Sequence, residues 1–493
     1  MLFTILIGVV TAGVYALRSA VIKLRFKLSG GRQEQSLEAT EPFVVFTDDK
    51  RYWNVFEPLC DEFESRGLKV RYLTASPDDP ALDKHYENIT CEFVGEGNRA
   101  FATLNMLKAD IVLSSTPGLD VYQWKRSRDV KWYAHILHAI SDAAMYRMFG
   151  VDYYDAVLLT GEYQGVQIRE LERLRNLPAK ELPVVGLSYM DSMRARFEAM
   201  SSADTASEAA GDAAAGGADS TAAKDANTPV VENRQSSSET PTAAATPAAT
   251  VVAAPSADSE TASDTESVQI KGAPCATPNI LLAPSWGASS IFSLYGGEII
   301  GALLETGYHV VVRPHPQSMK SEREMMDKIM GEYPESDQIE WNFDTDNFNV
   351  LARSDLMISD FSGVIFDFAL VFDRPIIYTE PSYDKAPYDA CWLEDELWTF
   401  KVLPRIGRQL DPQHLGGMKE LIDSCLNDSS LQQGRDEARD ECWGCRGESA
   451  KVAVDYLVAK QAELASESAR ETNAPAEADE VADGTSEKAD TVC

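Results

Sequence analysis

Residues 356–367 read Leu356-Met357-Ile358-Ser359-Asp360-Phe361-Ser362-Gly363-Val364-Ile365-Phe366-Asp367: a short apolar run, a turn of small polar residues, and a second apolar run. The first run is apolar on both faces and too short for a helix, as expected of a strand buried inside a parallel sheet. Residues 364–372 then read as a helix. The same unit occurs upstream, where Val310-Val311-Val312-Arg313-Pro314-His315-Pro316 closes a strand over 309–313 ahead of a helix over 319–331. A strand over 280–283 and a helix over 291–305 open this series. A strand over 375–379 and helices over 415–426 and 448–464 complete it. A first series lies between residues 42 and 200, with strands over 43–46, 69–73, 111–113, 132–137, 156–159 and 184–187 and helices over 52–65, 164–175 and 190–200. Strands alternating with helices predict an α/β fold: two doubly wound, Rossmann-like domains facing a cleft, with ligands at the C-terminal ends of the strands.

Between the two series the composition changes. Residues 201–273 hold no aromatic residue and carry 11 acids against 3 bases, and residues 461–493 carry 9 against 2, which accounts for −15 of the net charge of −33. Such segments bury too little apolar surface to offset chain entropy, so a disordered acidic linker over 201–273 and a disordered acidic tail over 465–493 are expected. The acidic balance argues against a nucleic-acid partner. Eight cysteines in 493 residues are too few for a disulfide scaffold. Cys442 and Cys445 have metal-knuckle spacing but lack a second ligand pair, so they read as ordinary cysteines and no metal site is expected.

Residues 1–17 are apolar and uncharged, and Arg18, Lys23, Arg25, Lys27 and Arg32 follow. Charge after the apolar run, rather than before it, predicts an uncleaved single-pass membrane anchor with the remaining chain on the cytoplasmic side; an amphipathic helix on the membrane surface is the alternative. The domains expected are therefore 1–35, anchor and basic flank; 36–200, the first α/β domain; 201–273, linker; 274–464, the second α/β domain; and 465–493, tail.

Chemistry concentrates at the two strand ends. Two prolines pin Arg313 and His315 at the edge of their strand, where a guanidinium can grip a phosphate in a bidentate manner and an imidazole can donate a hydrogen bond or carry a proton. The alternative is an Arg capping a neighbouring carbonyl and a His filling a turn. At 359–364 the amides of Ser362, Gly363 and Val364 open a helix, with the Ser359 and Ser362 hydroxyls as further donors, an arrangement suited to an anion; simple capping by Asp360 or Ser362 is compatible with it. Asp367, inside the helix, is placed to orient a neighbour. Asp344 and Asp346 read as a solvated loop.

These stretches, together with Leu281-Leu282-Ala283-Pro284-Ser285-Trp286-Gly287, Ser354-Asp355 and Phe366-Asp367-Phe368-Ala369 through Arg374-Pro375-Ile376-Ile377-Tyr378, resemble the CDP-glycerol glycerophosphotransferase family of teichoic acid and capsule polymer synthesis throughout residues 279–390. The resemblance implies a B-type glycosyltransferase architecture, with His315, Arg313, Ser359, Asp360, Ser362 and Gly363 around the donor's diphosphate. The family's Trp-His-Gly stretch, whose His is the base, has a looser counterpart in Trp132-Tyr133-Ala134-His135-Ile136-Leu137-His138-Ala139-Ile140-Ser141-Asp142, where Ala139 replaces the Gly and no Lys follows closely. His138 is the base this implies, with His135 in reserve. Asp142 either orients His138 or caps the next helix. On a strand, residues three apart face opposite sides, so both histidines reach the cleft only where the chain turns between them.

The function expected is transfer of glycerol phosphate, or a related polyol phosphate, from a CDP-linked donor to a lipid-linked or polymer acceptor, releasing CMP, at the membrane and without a cofactor. The rivals are a nucleotide-sugar glycosyltransferase or epimerase of the same fold, and a membrane-tethered scaffold that binds nucleotide or polymer without turnover.

Overall fold

The apolar runs assemble into two six-stranded parallel sheets. The computed structural model describes residues 17, 19–24, 27, 40–215, 277–344, 346–360, 362–379, 383–411 and 413–473. The membrane anchor expected over 1–17 lies outside them apart from Leu17, as do residues 216–273 of the expected linker and 474–493 of the expected tail. Among the described residues no helix is long and apolar enough to cross a membrane.

The first sheet comprises β1 (Glu41–Thr47), β2 (Val70–Thr74), β3 (Ile89–Phe93), β4 (Lys108–Ser114), β5 (Asp129–Ile136) and β6 (Ala156–Leu158), in the order β3-β2-β1-β4-β5-β6. The second comprises β7 (Asn279–Leu282), β8 (His309–Val312), β9 (Ile339–Trp341), β10 (Leu356–Ser359), β11 (Ile376–Tyr378) and β12 (Gly407–Gln409), in the order β12-β11-β10-β7-β8-β9. Counted within its own half, each sheet runs third, second, first, fourth, fifth, sixth. The strand order therefore reverses between β1 and β4 and between β7 and β10, the places where doubly wound sheets open a crevice at their C-terminal edges. Alternate side chains leave opposite faces of a strand, and both faces are covered here. Leu281, Val311 and Met357 enter one core cluster, while Ile280, Leu282, Val310, Val312 and Ile358 enter another.

Several boundaries differ from those predicted. The helix expected over 291–305 is two, Ile291–Tyr295 and Glu298–Glu305, because Gly296 takes a φ of +56° that breaks the first. The helix expected over 364–372 is one α-turn, Val364–Phe366, continuing as a π-turn, Asp367–Val371. Residues 184–187 form no strand beyond a single parallel bridge between Leu159 and Val184. Strands β3, β9 and β12 were not predicted.

Five helices matter below: α1 (Trp53–Ser65), α2 (Glu162–Arg175), α3 (Ser188–Ala215), α4 (Trp398–Ile406) and α5 (Ser449–Asn473). α3 runs into the stretch expected as linker, and α5 into the expected tail. The described parts of 1–200 and 277–493 form one body, and the described residues beyond Met200 in α3 belong to a second unit, 201–276. Within the first body the chain crosses twice between halves. Leu187 and Met190, entering α3, are buried in the core of the second half. α5 returns, and its Ala453, Val454 and Leu457 are buried beside Val55, Phe56 and Leu59 of α1. Full burial of side chains of this size contributes roughly 1.5–3 kcal/mol each for Val and Leu. Lys460 adds an ion pair to Glu181 at 2.6 Å, and the Gln461 amide donates to Asp110 at 2.9 Å.

Candidate active site

β5 delivers His135 fully buried at its C-terminal end, and the strand stops at Ile136, so the chain is free to turn before His138. It does turn, and both rings reach one phenol: His135 Nε2 lies 3.0 Å and His138 Nδ1 3.2 Å from Tyr146 Oη. The Tyr52 ring packs over His138 with centroids 4.5 Å apart. Burial, helped by the Arg51 charge, lowers His138 to about 4, and burial with the His138 charge lowers His135 to about 3. Both rings are therefore neutral near pH 7, the form in which an imidazole accepts a proton.

Arg51 follows β1 on the turn Lys50–Tyr52. Its side chain is 70% exposed and pairs with Asp49 at 3.0 Å. Beside it, the Thr116 hydroxyl donates to Asp48 at 2.9 Å across the reversal between β1 and β4. Burial raises the Asp48 carboxyl against that hydrogen bond. A cavity of about 500 Å³ opens at this edge, lined by Lys23, Asp48, Ser76, Asp78 and Glu96 among others.

In the second half His315 is half-buried and lowered, by burial first and by the Arg51 charge second. The Arg51 charge thus lowers both His138, after the first sheet, and His315, after the second. His315 Nδ1 accepts the Gln317 N–H at 3.1 Å, so in the neutral ring the proton sits on Nε2 as a donor. Trp286, half exposed, flanks it with ring centroids 6.3 Å apart.

The structure redistributes roles among the predicted donor-phosphate residues. Ser359 Oγ donates to the Ala283 carbonyl at 2.6 Å and is buried. Asp360, also buried, accepts from the backbone and hydroxyl of Ser285 at 2.8 Å each, so it braces the Ser285 to Ile291 loop. Its second oxygen, Oδ1, is buried without a partner, and burial raises the carboxyl. In this arrangement the Ser359 hydroxyl is engaged by a carbonyl and the Asp360 carboxyl by a loop. Arg313 donates to Asn342 Oδ1 and, at 2.8 Å, to the Asp344 carbonyl, which is the capping alternative rather than an open fork. Gly363 is exposed and Ser362 half-buried. The Ser362 amide is drawn toward Asp360, while a Cβ built on Gly363 meets nothing within 4 Å.

Asp142 does not orient His138. Its two oxygens accept the amides of Trp398 at 2.7 Å and Thr399 at 2.8 Å, capping α4 from the other half of the chain, because the chain turns away after His138. Asp367 accepts the Tyr189 hydroxyl from α3, and burial raises it to about 6. It positions a chain crossing and does not reach the histidines through that bond. Cys442 is buried in the core. Asp346 pairs with Arg196 at 2.7 Å.

Sequence reading missed Arg51, Tyr52, Asp48 and Tyr146. The first three sit in Asp48-Asp49-Lys50-Arg51-Tyr52, a polar turn directly after a buried strand, the same strand-to-helix signal that was read at 359–364. Tyr146 carries no such signal, since its role depends on where the turn after β5 brings it.

No curated protein sequence matches the chain significantly. Solved structures similar to it include the wall teichoic acid polymerase TagF, with 14% identity and a TM-score of 0.48 over 92% of this chain and 98% of that one. A UDP-GlcNAc 2-epimerase from Neisseria meningitidis has 8% identity and a TM-score of 0.49, over 85% of this chain and 100% of that one. A glycosyltransferase from Rickettsia africae has 9% identity and a TM-score of 0.43, over 85% and 98%. The family model described as CDP-Glycerol:Poly(glycerophosphate) glycerophosphotransferase matches residues 260–391, the stretch that carries Ser285, His315, Asp360 and Gly363. Over that stretch the chain is similar to the CDP-glycerol glycerophosphotransferase family.

Proposed function

We propose that the protein transfers glycerol phosphate, or a related polyol phosphate, from a CDP-linked donor to a lipid-linked or polymer acceptor at the cytoplasmic face of a membrane. What supports this reading is the family match over residues 260–391, which carries His315 and Gly363, together with the neutral His138 and His315 that both feel the Arg51 charge. An acceptor hydroxyl attacks the donor's β-phosphorus, its oxygen forms the new phosphodiester bond, and the bridging bond to the α-phosphate breaks, so that CMP leaves with the bridging oxygen. His138 takes the hydroxyl proton at Nε2. The His315 Nε2–H, Arg51 and the Gly363 and Val364 amides stabilise charge on the phosphate oxygens, where positioned donors act most strongly. Arg51 also links binding to proton transfer: a bound diphosphate offsets the charge that depresses His138 and so strengthens the base. The scheme calls for no cofactor or metal.

The cavity beside Asp48 is the acceptor's approach in this reading. The apolar run over 1–17 with its basic flank would hold the enzyme at the leaflet where a lipid-linked acceptor resides. The test is CMP release from CDP-glycerol with membrane lipid extract by the full chain, beside folded His138→Ala and His315→Ala variants. Losses of about a hundredfold or more in both are expected. Turnover of UDP-sugars with no CMP release from CDP-glycerol would sink the proposal.

A further inference from the structure

With Asp142 committed to α4, the base expected from sequence lacks the carboxylate that usually holds a catalytic imidazole. We propose that Tyr146, backed by His135, is the positioning residue that fixes the tautomer of His138 and presents its Nε2 as a free lone pair. This rests on the transferase reading above only for the use to which His138 is put.

Tyr146 Oη stands between two ring nitrogens, 3.0 Å from His135 Nε2 and 3.2 Å from His138 Nδ1, and a phenol has one proton to give. With both rings neutral, the hydroxyl donates to one imidazole and accepts from the other. If it donates to His135, then His138 Nδ1 carries a proton bound to the phenol oxygen, and Nε2 is left to accept. The reverse arrangement places the proton on His138 Nε2 and disables the base. In this arrangement His135 carries its proton on Nδ1, which is buried without a hydrogen-bond partner, so holding the base ready costs one unsatisfied N–H that the reverse arrangement avoids. The tautomer of His138 therefore decides the proposal directly.

The Tyr146 backbone is also fixed from outside. The Tyr146 carbonyl accepts the Asp389 N–H at 2.9 Å, and Asp389, fully buried, accepts the Phe149 N–H at 2.8 Å and pairs with Arg175. The other groups facing His138 are Tyr52 across its ring, Arg51 beside that tyrosine, and Asp48, whose charge reaches Tyr52 and Tyr146. None of these others is shown bonded to its Nδ1, so the tautomer is set by Tyr146. In the reaction the acceptor's proton moves to Nε2, the resulting imidazolium keeps its Nδ1–H on the phenol oxygen, and the phenol's own proton stays in place.

The experiment is nitrogen-15 NMR of the histidine-labelled full chain, which has six histidines, with His138 assigned by its absence from His138→Ala. The parent is expected to show His138 protonated at Nδ1 and bare at Nε2, and Tyr146→Phe to show a mixture. In CMP release, Tyr146→Phe should lower kcat on the order of tenfold to a hundredfold with the KM for CDP-glycerol unchanged. The acid limb of its pH profile should move to lower pH, because an acceptor for the protonated ring is gone. A parent spectrum with His138 protonated at Nε2 overturns the proposal, as does a Tyr146→Phe variant that keeps the parent's tautomer, kcat and acid limb. The spectrum is read without turnover, so a parent that releases no CMP overturns the transferase reading while the tautomer comparison still decides this one.

Discussion

A methyl group at Gly363 would enter open space, since nothing lies within 4 Å of a Cβ built there and its φ of −57° is ordinary for any residue. Gly363→Ala should therefore fold normally, with stability unchanged or raised by about 0.4–1 kcal/mol through the unfolded chain. The same methyl would crowd a phosphate resting on the Gly363 and Val364 amides. A thermal melt as high as the parent's, together with a KM for CDP-glycerol raised about tenfold, roughly 1.4 kcal/mol, is the expected pair of results. An unchanged KM would move the donor phosphate off this turn. At this scale the site was half legible. His138, His315 and Gly363 stand beside strand ends in the sequence, whereas Arg51 matters because it acts on two histidines that are 177 residues apart. Ser359 and Asp360 looked like ligands because small polar residues follow a strand. Their burial, which sequence does not display, ties Ser359 to the Ala283 carbonyl and Asp360 to the Ser285 loop.

α4 begins inside the protein at Trp398, and buried helix ends need partners for their free amides. Asp142 supplies both, from a turn 256 residues earlier, and also accepts the Gln167 amide. Asp142→Ala strands two buried N–H groups and should cost about 2–4 kcal/mol, more than the roughly 1 kcal/mol of an exposed cap. Urea denaturation is the measurement, and a loss below about 1 kcal/mol would show that water or a shift of α4 replaces the carboxylate. Elements of this kind separate what sequence tells from what it hides. β8 and β10 announced themselves through three consecutive apolar residues each, Val310 to Val312 and Leu356 to Ile358. β9 and β12 are three residues each, and β12 reads Gly-Arg-Gln at the sheet edge, with no apolar run to mark it. The break at Gly296 was missed because a glycine within a helical pattern signals a kink only when its φ turns positive.

Across the whole molecule, the two halves share one wiring scheme, and the chain crosses between them twice. The crossings touch. Gly186 and Gly444 approach so closely that a Cβ on Gly186 would lie 2.0 Å from the Gly444 carbonyl oxygen, and Asp191 accepts both Trp443 Nε1 and the Ser449 amide at 2.9 Å. Because α5 is anchored on α1 by buried side chains, the second half stays fastened to the first through contacts that need no peptide bond between residues 216 and 276. The gene should therefore tolerate being split there: fragments 1–240 and 241–493, produced together, are expected to co-elute as one particle and to release CMP like the intact chain. Fragments that elute apart would show that the covalent excursion, rather than the returning helix, keeps the enzyme whole.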